Sequence, residues 1–361
     1  MTSMPHPPPA QAQPLRITVK AVAKKAGVSL MTASYALRNH PKIPRVTRDR
    51  IQRVAARLGY RPDPEMSRLM HLLRKHKHAS FQTTLAFLSF QETPHATHRY
   101  TADLIAGAKD RAAQLGYSVD VLSVAHSQLG RSRLTTMLKT RGIRGVLIPP
   151  LPEIVDCSAM LDWSQFSVIA ATYSAQNLVV NRVVPNHQGN IMEALTRLRA
   201  LGYRRPGLVL VGDLVRRANS AYQAVLALRQ QNGDFAYVPA FNGEFSEMED
   251  PDSRIRPWLL ENQPDLLLTV EAAVPTLIRV LGSRYPATIG IGVLDHSGVS
   301  THAGIDQHPS IIGEAAVELL AGQIQHGEVG LGRHPRITMI DGTWLAGTSI
   351  RPRKRAPARP R

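Results

Sequence analysis

The sequence predicts an α/β chain in two parts: a small helical head carrying a helix-turn-helix, and a larger core of two lobes that alternate strands and helices. Three observations predict it. Residues 17–62, ITVKAVAKKAGVSLMTASYALRNHPKIPRVTRDRIQRVAARLGYRP, hold three short helical patterns separated by turn and capping signals. Positive charge gathers at the two ends of the chain and not along its middle. From residue 84 onward, short apolar runs alternate with amphipathic helices, the pattern of parallel sheets covered on both faces.

In the head, Thr18 is positioned to cap a first helix whose Val22, Ala23 and Ala26 share one apolar face. Gly27 supplies a tight turn, and Ser29 caps a second helix expected to run to about Asn39. Thr47 is expected to cap a third, with Ile51, Val54, Leu58 and Tyr60 closing a miniature core. Asp63-Pro64-Glu65 then reads as a helix start, followed by Met66, Leu69, Met70, Leu72 and Leu73 at helical spacing and a basic joint, RKHKH, at 74–78, which makes the segment either a partly helical hinge between two domains or a simple linker.

The core begins with TLAFLSF (84–90), a helix from about Tyr100 to Leu115, YSVDVLSV (117–124) and a helix over 131–142. GVLIPP (145–150), a helix near Ser158 and SVIAAT (167–172) complete the first series. RVVPNH (182–187) opens a second, with a helix from Gly189 to Leu201. PGLVLVG (206–212), DLLLTV (265–270) and TIGIGVL (288–294) are each expected to precede a further helix. Two such series suggest two Rossmann-like lobes with a cleft between them.

The formal net charge of the 361-residue chain is +17. Residues 1–78 hold sixteen Lys and Arg against Asp49, Asp63 and Glu65, and residues 351–361 hold six basic side chains and no acid, leaving the body near neutral. That segregation is the footprint of a polyanion-binding module attached to something else. Cys157 is the only cysteine, which excludes a disulfide framework or cysteine metal site within one chain. The start, MTSMPHPPPAQAQP, has no apolar core of a signal peptide and reads as a proline-rich leader. No run approaches the roughly 18 apolar residues of a membrane span. The expectation is a cytoplasmic protein with no membrane partner.

An enzyme is disfavoured. There is no phosphate-binding GxxxxGK[ST], no HExxH and no GxSxG, and GIGIGV (288–293) lacks the third glycine of a dinucleotide fingerprint. His95, His98, His126 and His187 show no metal spacing, so no metal and no cofactor is expected. A solute-binding receptor would share the two-lobe fold, but it needs export and would not carry a basic helical head.

Over nearly its whole length the sequence resembles the lactose/galactose repressor (LacI/GalR) family of transcriptional regulators. The resemblance rests on ITVKAVAKKAGVS-x-x-T-x-S, V-T-R and A-x-x-L-G-Y-x-P in the head. GAKDRAAQLGY (107–117), LRALGYRRPGLVLVG (198–212) and GIDQHPSIIGEAAVELL (304–320) carry it through the core. It implies a lambda-repressor-like head on a periplasmic-binding-protein-like (type I) core. The implied divisions are a leader (1–16), the helix-turn-helix domain (17–62), a hinge helix and linker (63–82), a core (83–346) and a basic tail (347–361). Within the core, lobe 1 would take about 83–184 and 312–338, and lobe 2 about 185–311 and 339–346.

The function the resemblance implies is a DNA-binding repressor, a homodimer on a near-palindromic operator of double-stranded DNA. It would be gated by a small-molecule effector, a sugar or sugar derivative being one candidate, in the inter-lobe cleft. The alternative is a DNA-binding regulator whose core only dimerises. The family's base-reading positions fall on Leu30, Met31 and Tyr35. Leu30 and Met31 cannot donate to guanine, so they either touch thymine methyl groups or are buried in the head. Thr18, Ser29, Thr32 and Ser34 offer hydroxyls to phosphate oxygens. Leu69 aligns with a leucine that wedges into the minor groove, or else packs the hinge helix. In the cleft the family's positions fall on Thr172, Arg217, Asn219, Phe245, Glu271, Asp295 and Gln307. The clamping arginine falls on Ala218, one place from Arg217, and the first aspartate of the pair after the GIG strand is Leu294. Asp295 either contacts the ligand or caps a segment, and Phe245 is either a stacking platform or a core aromatic.

Overall fold

The computed structural model describes residues 18–37, 43–60, 83–90, 99–124, 131–151, 153–211, 217, 218, 220–243 and 251–353. The segment expected to form a hinge helix, with Leu69, the leader, and the tail from residue 354 lie outside the described residues, as do Asn219 and Phe245. Two units separate, Met1–Ser80 and Phe81–Arg361.

The head has three helices, α1 (Val19–Ala26), α2 (Leu30–Leu37) and α3 (Arg45–Arg57). The Thr18 hydroxyl accepts the Ala21 N–H at 3.3 Å, capping α1. Gly27 closes α1 at φ +67°, a left-handed conformation that a side chain would strain, and its N–H returns to the last turn. Ser29 caps α2, its Oγ accepting the Thr32 N–H at 3.1 Å. The third helix corrects the expected cap. It starts two residues before Thr47, after Pro44, whose ring fixes φ at −56° and whose carbonyl accepts the Arg48 N–H at 3.0 Å. Val22, Ala23, Ala33, Ala36, Ile51 and Ala55 form the core, with Val28, Leu37, Val54, Leu58 and Tyr60 packed around it. Gln52 on α3 donates to the Ala36 carbonyl at 3.2 Å, joining α3 to the end of α2.

The second unit is built on two six-stranded sheets. The strands of the first, all parallel, are β1 (Thr83–Ser89), β2 (Tyr117–Ser123), β3 (Gly145–Ile148), β5 (Ser167–Ala170), β7 (Asn181–Pro185) and β13 (Ile337–Ile340), in the order β13-β7-β5-β3-β1-β2. A small pair, β4 (Val155–Asp156) and β6 (Ala175–Gln176), stands beside it. Alternation along the strands fills both faces. Ala86, Leu88, Val146 and Ile148 belong to one apolar cluster, and Leu85, Phe87, Leu147 and Ile169 to the other. Helix α4 (Arg99–Gln114) lies on the second cluster and α5 (Arg131–Thr140) on the first.

The helix expected near Ser158 is absent. Strand β4, a turn and a single 3₁₀ turn at Trp163–Gln165 replace it. Asp156 Oδ1 accepts the Ser158 N–H at 2.8 Å, Cys157 N–H goes to Gln176 O, and Trp163 Nε1 donates to Cys157 O at 2.9 Å. Local side-chain bonds of this kind compete with a helix ladder.

The second sheet runs β14-β12-β11-β10-β8-β9: β8 (Pro206–Val211), β9 (Phe241–Gly243), β10 (Leu266–Thr269), β11 (Gly290–Val293), β12 (Ala303–Asp306) and β14 (Thr343–Leu345). All neighbours are parallel except β14, which is antiparallel to β12. Here too alternate residues face opposite ways, Leu208, Leu266 and Leu268 into one cluster, Val209, Leu267 and Ile291 into the other. Helices α6 (His187–Ala200), α7 (Ala221–Gln231), α8 (Pro251–Asn262) and α9 (Val274–Leu281) flank it. Contrary to expectation, β11 leads through a turn into β12 and not directly into a helix.

The chain passes between the sheets three times: β7 of the first leads into α6, which packs on β12 and β14; β12 leads into α10 (Pro309–His326), which packs on α4, β3, β5 and β7; and β13 leads into β14. At the α4–α10 crossing, a side chain at Gly107 would overlap the Ser310 carbonyl and one at Gly313 the Leu104 carbonyl, so both positions require glycine. Among the described residues no helix is long and apolar enough to cross a membrane.

Candidate nucleic-acid interface and core polar site

In the head, the small residues have gone inside and two large apolar ones have stayed out. Leu30 and Met31 occupy the first turn of α2 at 55% and 66% exposure, whereas Ala33 and Ala36 on the same helix are fully buried. The alternative of Leu30 and Met31 as head-core residues is thereby excluded, since Val28, Ala33 and Leu37 already fill that role. Tyr35, Thr32 and Ser34 are half-buried and Thr18 and Ser29 exposed. Both cap hydroxyls accept backbone N–H groups, which leaves a hydroxyl's donor function free for other use; Ser29 and Thr32 share one such proton at 2.8 Å. The described head carries Lys20, Lys24, Lys25, Arg45, Arg48, Arg50, Arg53 and Arg57 against the single acid Asp49.

In the core, polar residues gather where parallel strands end. Thr172 and Tyr173 follow β5, His187 follows β7, Arg217 follows β8, Glu271 follows β10, Asp295 follows β11 and Gln307 follows β12. Carboxyl ends of strands are where open α/β sheets hold ligands. Asp295 Oδ1 accepts the Glu271 N–H at 2.7 Å, joining two strand ends. Glu271 in turn accepts Ser297 N–H at 2.9 Å and Ser297 Oγ–H at 3.1 Å. Gln307, buried, donates to Leu294 O at 2.6 Å and to the Tyr222 hydroxyl at 3.2 Å. That hydroxyl also bonds His187 Nδ1 at 2.8 Å, with the two rings edge to face. Tyr173 tilts toward His187 from the first lobe, ring centroids 6.4 Å apart.

Burial and mutual charge tune these groups. Burial, reinforced by the Glu271 charge, pushes the Asp295 carboxyl up to about 7, against the opposing Glu271 N–H bond and Arg217. Burial, then the positive charge of Arg217, holds His187 down at about 4, so it is neutral at physiological pH. Tyr100, at the start of α4, has its hydroxyl raised by burial and then by Asp295. Burial, followed by Asp295, raises Tyr222 likewise. Tyr100 thus belongs to the first lobe yet feels charges of the second. Together these side chains offer carboxylate and neutral imidazole acceptors, a guanidinium and aromatic faces within one setting.

Of the expected cleft residues, Arg217, Glu271, Asp295 and Gln307 share this network. Thr172 is turned into its own loop: its hydroxyl bonds Ser174 Oγ and accepts the Ser174 N–H at 2.9 Å. Tyr100, Tyr173, His187 and Tyr222 were not singled out as cleft residues by the sequence. The signal that could have found them is positional, because Tyr173 and His187 directly follow strand-ending runs. No group of three His, Cys, Asp or Glu among the described residues could hold a metal ion.

A capped helix-turn-helix head followed by a two-lobed, periplasmic-binding-protein-like core defines the class. Residues 18–63 match the family model for bacterial regulatory proteins of the lacI family. The head therefore carries the DNA-binding domain of that family. It is 26% identical over 200 residues to the HTH-type transcriptional repressor CytR of Escherichia coli (strain K12), covering 55% of this chain and 55% of that protein. It is 25% identical over 198 residues to the Escherichia coli sucrose operon repressor, covering 52% of this chain and 54% of that protein. The chain therefore spans about half the length of the curated relatives it matches. Among solved structures, the transcriptional regulator CelR–cellobiose complex superposes with TM-score 0.60 at 18% identity, covering 92% of this chain and 100% of that one. A lac repressor dimer bound to operator and the anti-inducer ONPF gives TM-score 0.54 at 21% identity, covering 91% and 97%. These likenesses carry the fold.

Proposed function

We propose that the chain is a sequence-specific transcriptional repressor that acts in the cytoplasm, reading a near-palindromic double-stranded operator as a homodimer under control of a small-molecule effector. The observation that carries this reading is the solvent-facing Leu30–Met31 pair on a capped second helix, above a core already filled by other residues. In the major groove those side chains suit thymine methyl groups, and Tyr35 beside them adds a hydroxyl. Thr18, Ser29, Thr32 and Ser34, with the surrounding lysines and arginines, bind phosphates and set register. Leu69 serves as the minor-groove wedge that bends the duplex so that both heads engage. The relatives named as repressors support the regulatory role.

The effector sits at the strand ends, against Arg217, Glu271 and Asp295; Asn219 and Phe245, outside the described residues, are further candidates from the sequence. A carbohydrate is the first class to try, given the cellobiose-bound neighbour. Effector and operator must favour different lobe arrangements, and the coupling between them is reciprocal, typically about 1–3 kcal/mol. A second reading, a core that only dimerises, draws support from Thr172 and Gln307, whose polar groups are engaged within the protein.

Selection of bound fragments from a library of random duplexes tests the proposal. A twofold-symmetric consensus is expected, and no enrichment over bulk competitor, with or without metabolites, overturns it. Titrating the bound complex with sugars and other metabolites separates the two readings of the core.

A further inference from the structure

We propose that the amino-terminal edge of the second sheet, opposite the polar site, carries a second contact for duplex DNA, built from Arg204, Arg205, Arg284 and Arg353. These arginines line one concavity of about 490 Å³ together with Asp265 and an apolar floor that includes Ile289. Arg204 and Arg205 precede β8, Asp265 precedes β10, and Arg284 precedes β11. The four arginines share the concavity with one carboxylate, and that carboxylate is engaged: it accepts the backbone N–H groups of Arg204 and Arg205 at 2.7 and 3.0 Å and pairs with the Arg353 guanidinium at 3.7 Å.

Three of the four cations are held in place. Arg205 donates to the Gln263 and Asn262 carbonyls at 3.2 and 2.7 Å. Arg204 bonds the Arg199 and Tyr203 carbonyls at 2.9 and 2.8 Å. The Arg353 guanidinium lies 4.9 Å over the Tyr203 ring and also bonds Thr288 O, while its backbone N–H reaches Leu201 O at 2.8 Å. A guanidinium has five N–H donors, so each keeps donors beyond these bonds, already oriented for a second acceptor. Fixed, planar, single-sign donors suit phosphate oxygens more than a mobile lysine patch does.

Arg353 also marks where the described chain ends, and the sequence continues KRAPARPR, with Lys354, Arg355, Arg359 and Arg361 and no acid. An uninterrupted run of one sign leaving a concavity of the same sign matches the regular negative charge of a duplex backbone. It matches less well an acidic peptide, whose charges are sparse. This contact does not depend on how the head reads DNA.

The test uses the full-length protein and a duplex of arbitrary sequence. Arg284 is exposed and makes no side-chain bond among the described residues, so Arg284→Glu changes charge without breaking a bond within the fold. Arg141→Glu, at an exposed arginine of the first lobe, makes the same charge change elsewhere. Removing one arginine–phosphate pair lowers the slope of log affinity against log salt by about 0.9. That reduction is expected for Arg284→Glu and not for Arg141→Glu; deletion of residues 354–361, which removes four basic side chains, lowers the slope by up to about four times as much. Wild type should also bring two differently labelled duplexes together, and Arg284→Glu should not. Equal effects of the two reversals overturn the proposal. So does an unchanged slope in a protein whose Arg284 site binds polyglutamate.

Discussion

The head buries Val22, Ala23, Ala33, Ala36, Ile51 and Ala55, four of the six being alanine, whereas the sheets of the second unit are filled on both faces by leucine, isoleucine, valine and aromatic residues. In the head the large apolar side chains Leu30 and Met31 point outward, while in the second unit polar and ionisable groups converge at the strand ends. Each unit thus sets a few side chains against its own burial pattern. A small domain buries a smaller fraction of its surface, so holding two large apolar groups outside leaves it little margin. Two double-sided sheets can hold an acid and a histidine in awkward protonation states and still fold.

The largest test of that contrast removes one core side chain from each unit. Phe87→Ala is expected to cost about 3–5 kcal/mol and Ile51→Ala about 2–5 kcal/mol. By calorimetry, Phe87→Ala should lower the melting of the second unit yet leave it folded, and Ile51→Ala should abolish the head's transition. A single shared transition that both variants shift equally would break the comparison. Next in size is Gly313→Ala, where an added methyl meets the Leu104 carbonyl; a loss of about 1–3 kcal/mol is expected in denaturant titration of the second unit. Smaller still, Leu30→Ala should leave stability within about 0.5 kcal/mol. Its selected-site affinity should nonetheless weaken by about 1–2 kcal/mol, because less apolar surface is buried against the bases. An unchanged affinity would remove Leu30 from the reading face.

A separate test concerns pH. Asp295 sits at about 7 instead of 3.8, so the folded protein keeps a proton that the unfolded chain releases. The stability this proton gives declines as pH rises from about 4 to about 7 and is flat above. His187, at about 4 instead of 6.5, works in the other direction, adding stability as pH rises over that interval. In the wild type the two slopes oppose each other. Asp295→Asn should expose the His187 rise in melting temperature between pH 4 and 6.5. A profile unaltered by the substitution would show that Asp295 is ionised throughout.

The head was legible because its determinants are local. A threonine or serine before a helix and a glycine after one act through bonds spanning a few residues, and Thr18, Gly27 and Ser29 do so. The start of α3 was misplaced because Pro44 fixes the backbone there without offering a capping side chain. In the second unit the strands were legible from their apolar runs. The segment around Ser158 was not, because bonds from Cys157 to Gln176 and from Trp163 to Cys157 decide it. The polar site was half legible for the same reason: Asp295 and Gln307 align by position, but the Tyr222–His187 bond joins residues 35 apart in sequence.

The three passages between the sheets have a consequence for how the molecule can be divided. β7, β12 and β13 each leave one sheet and hand the chain to the other half, and Asn186 is tied across this seam to Asp341 at 2.7 Å, as Asn190 is to the Gly342 N–H at 2.8 Å. No single cut in the polypeptide frees either half whole: a fragment ending after β12 leaves the first half without α10 and β13, and a fragment starting at α6 takes those orphaned pieces with it. The two halves are therefore inseparable by proteolysis or by gene truncation, and any swing of one against the other must be absorbed at three short wrists of backbone.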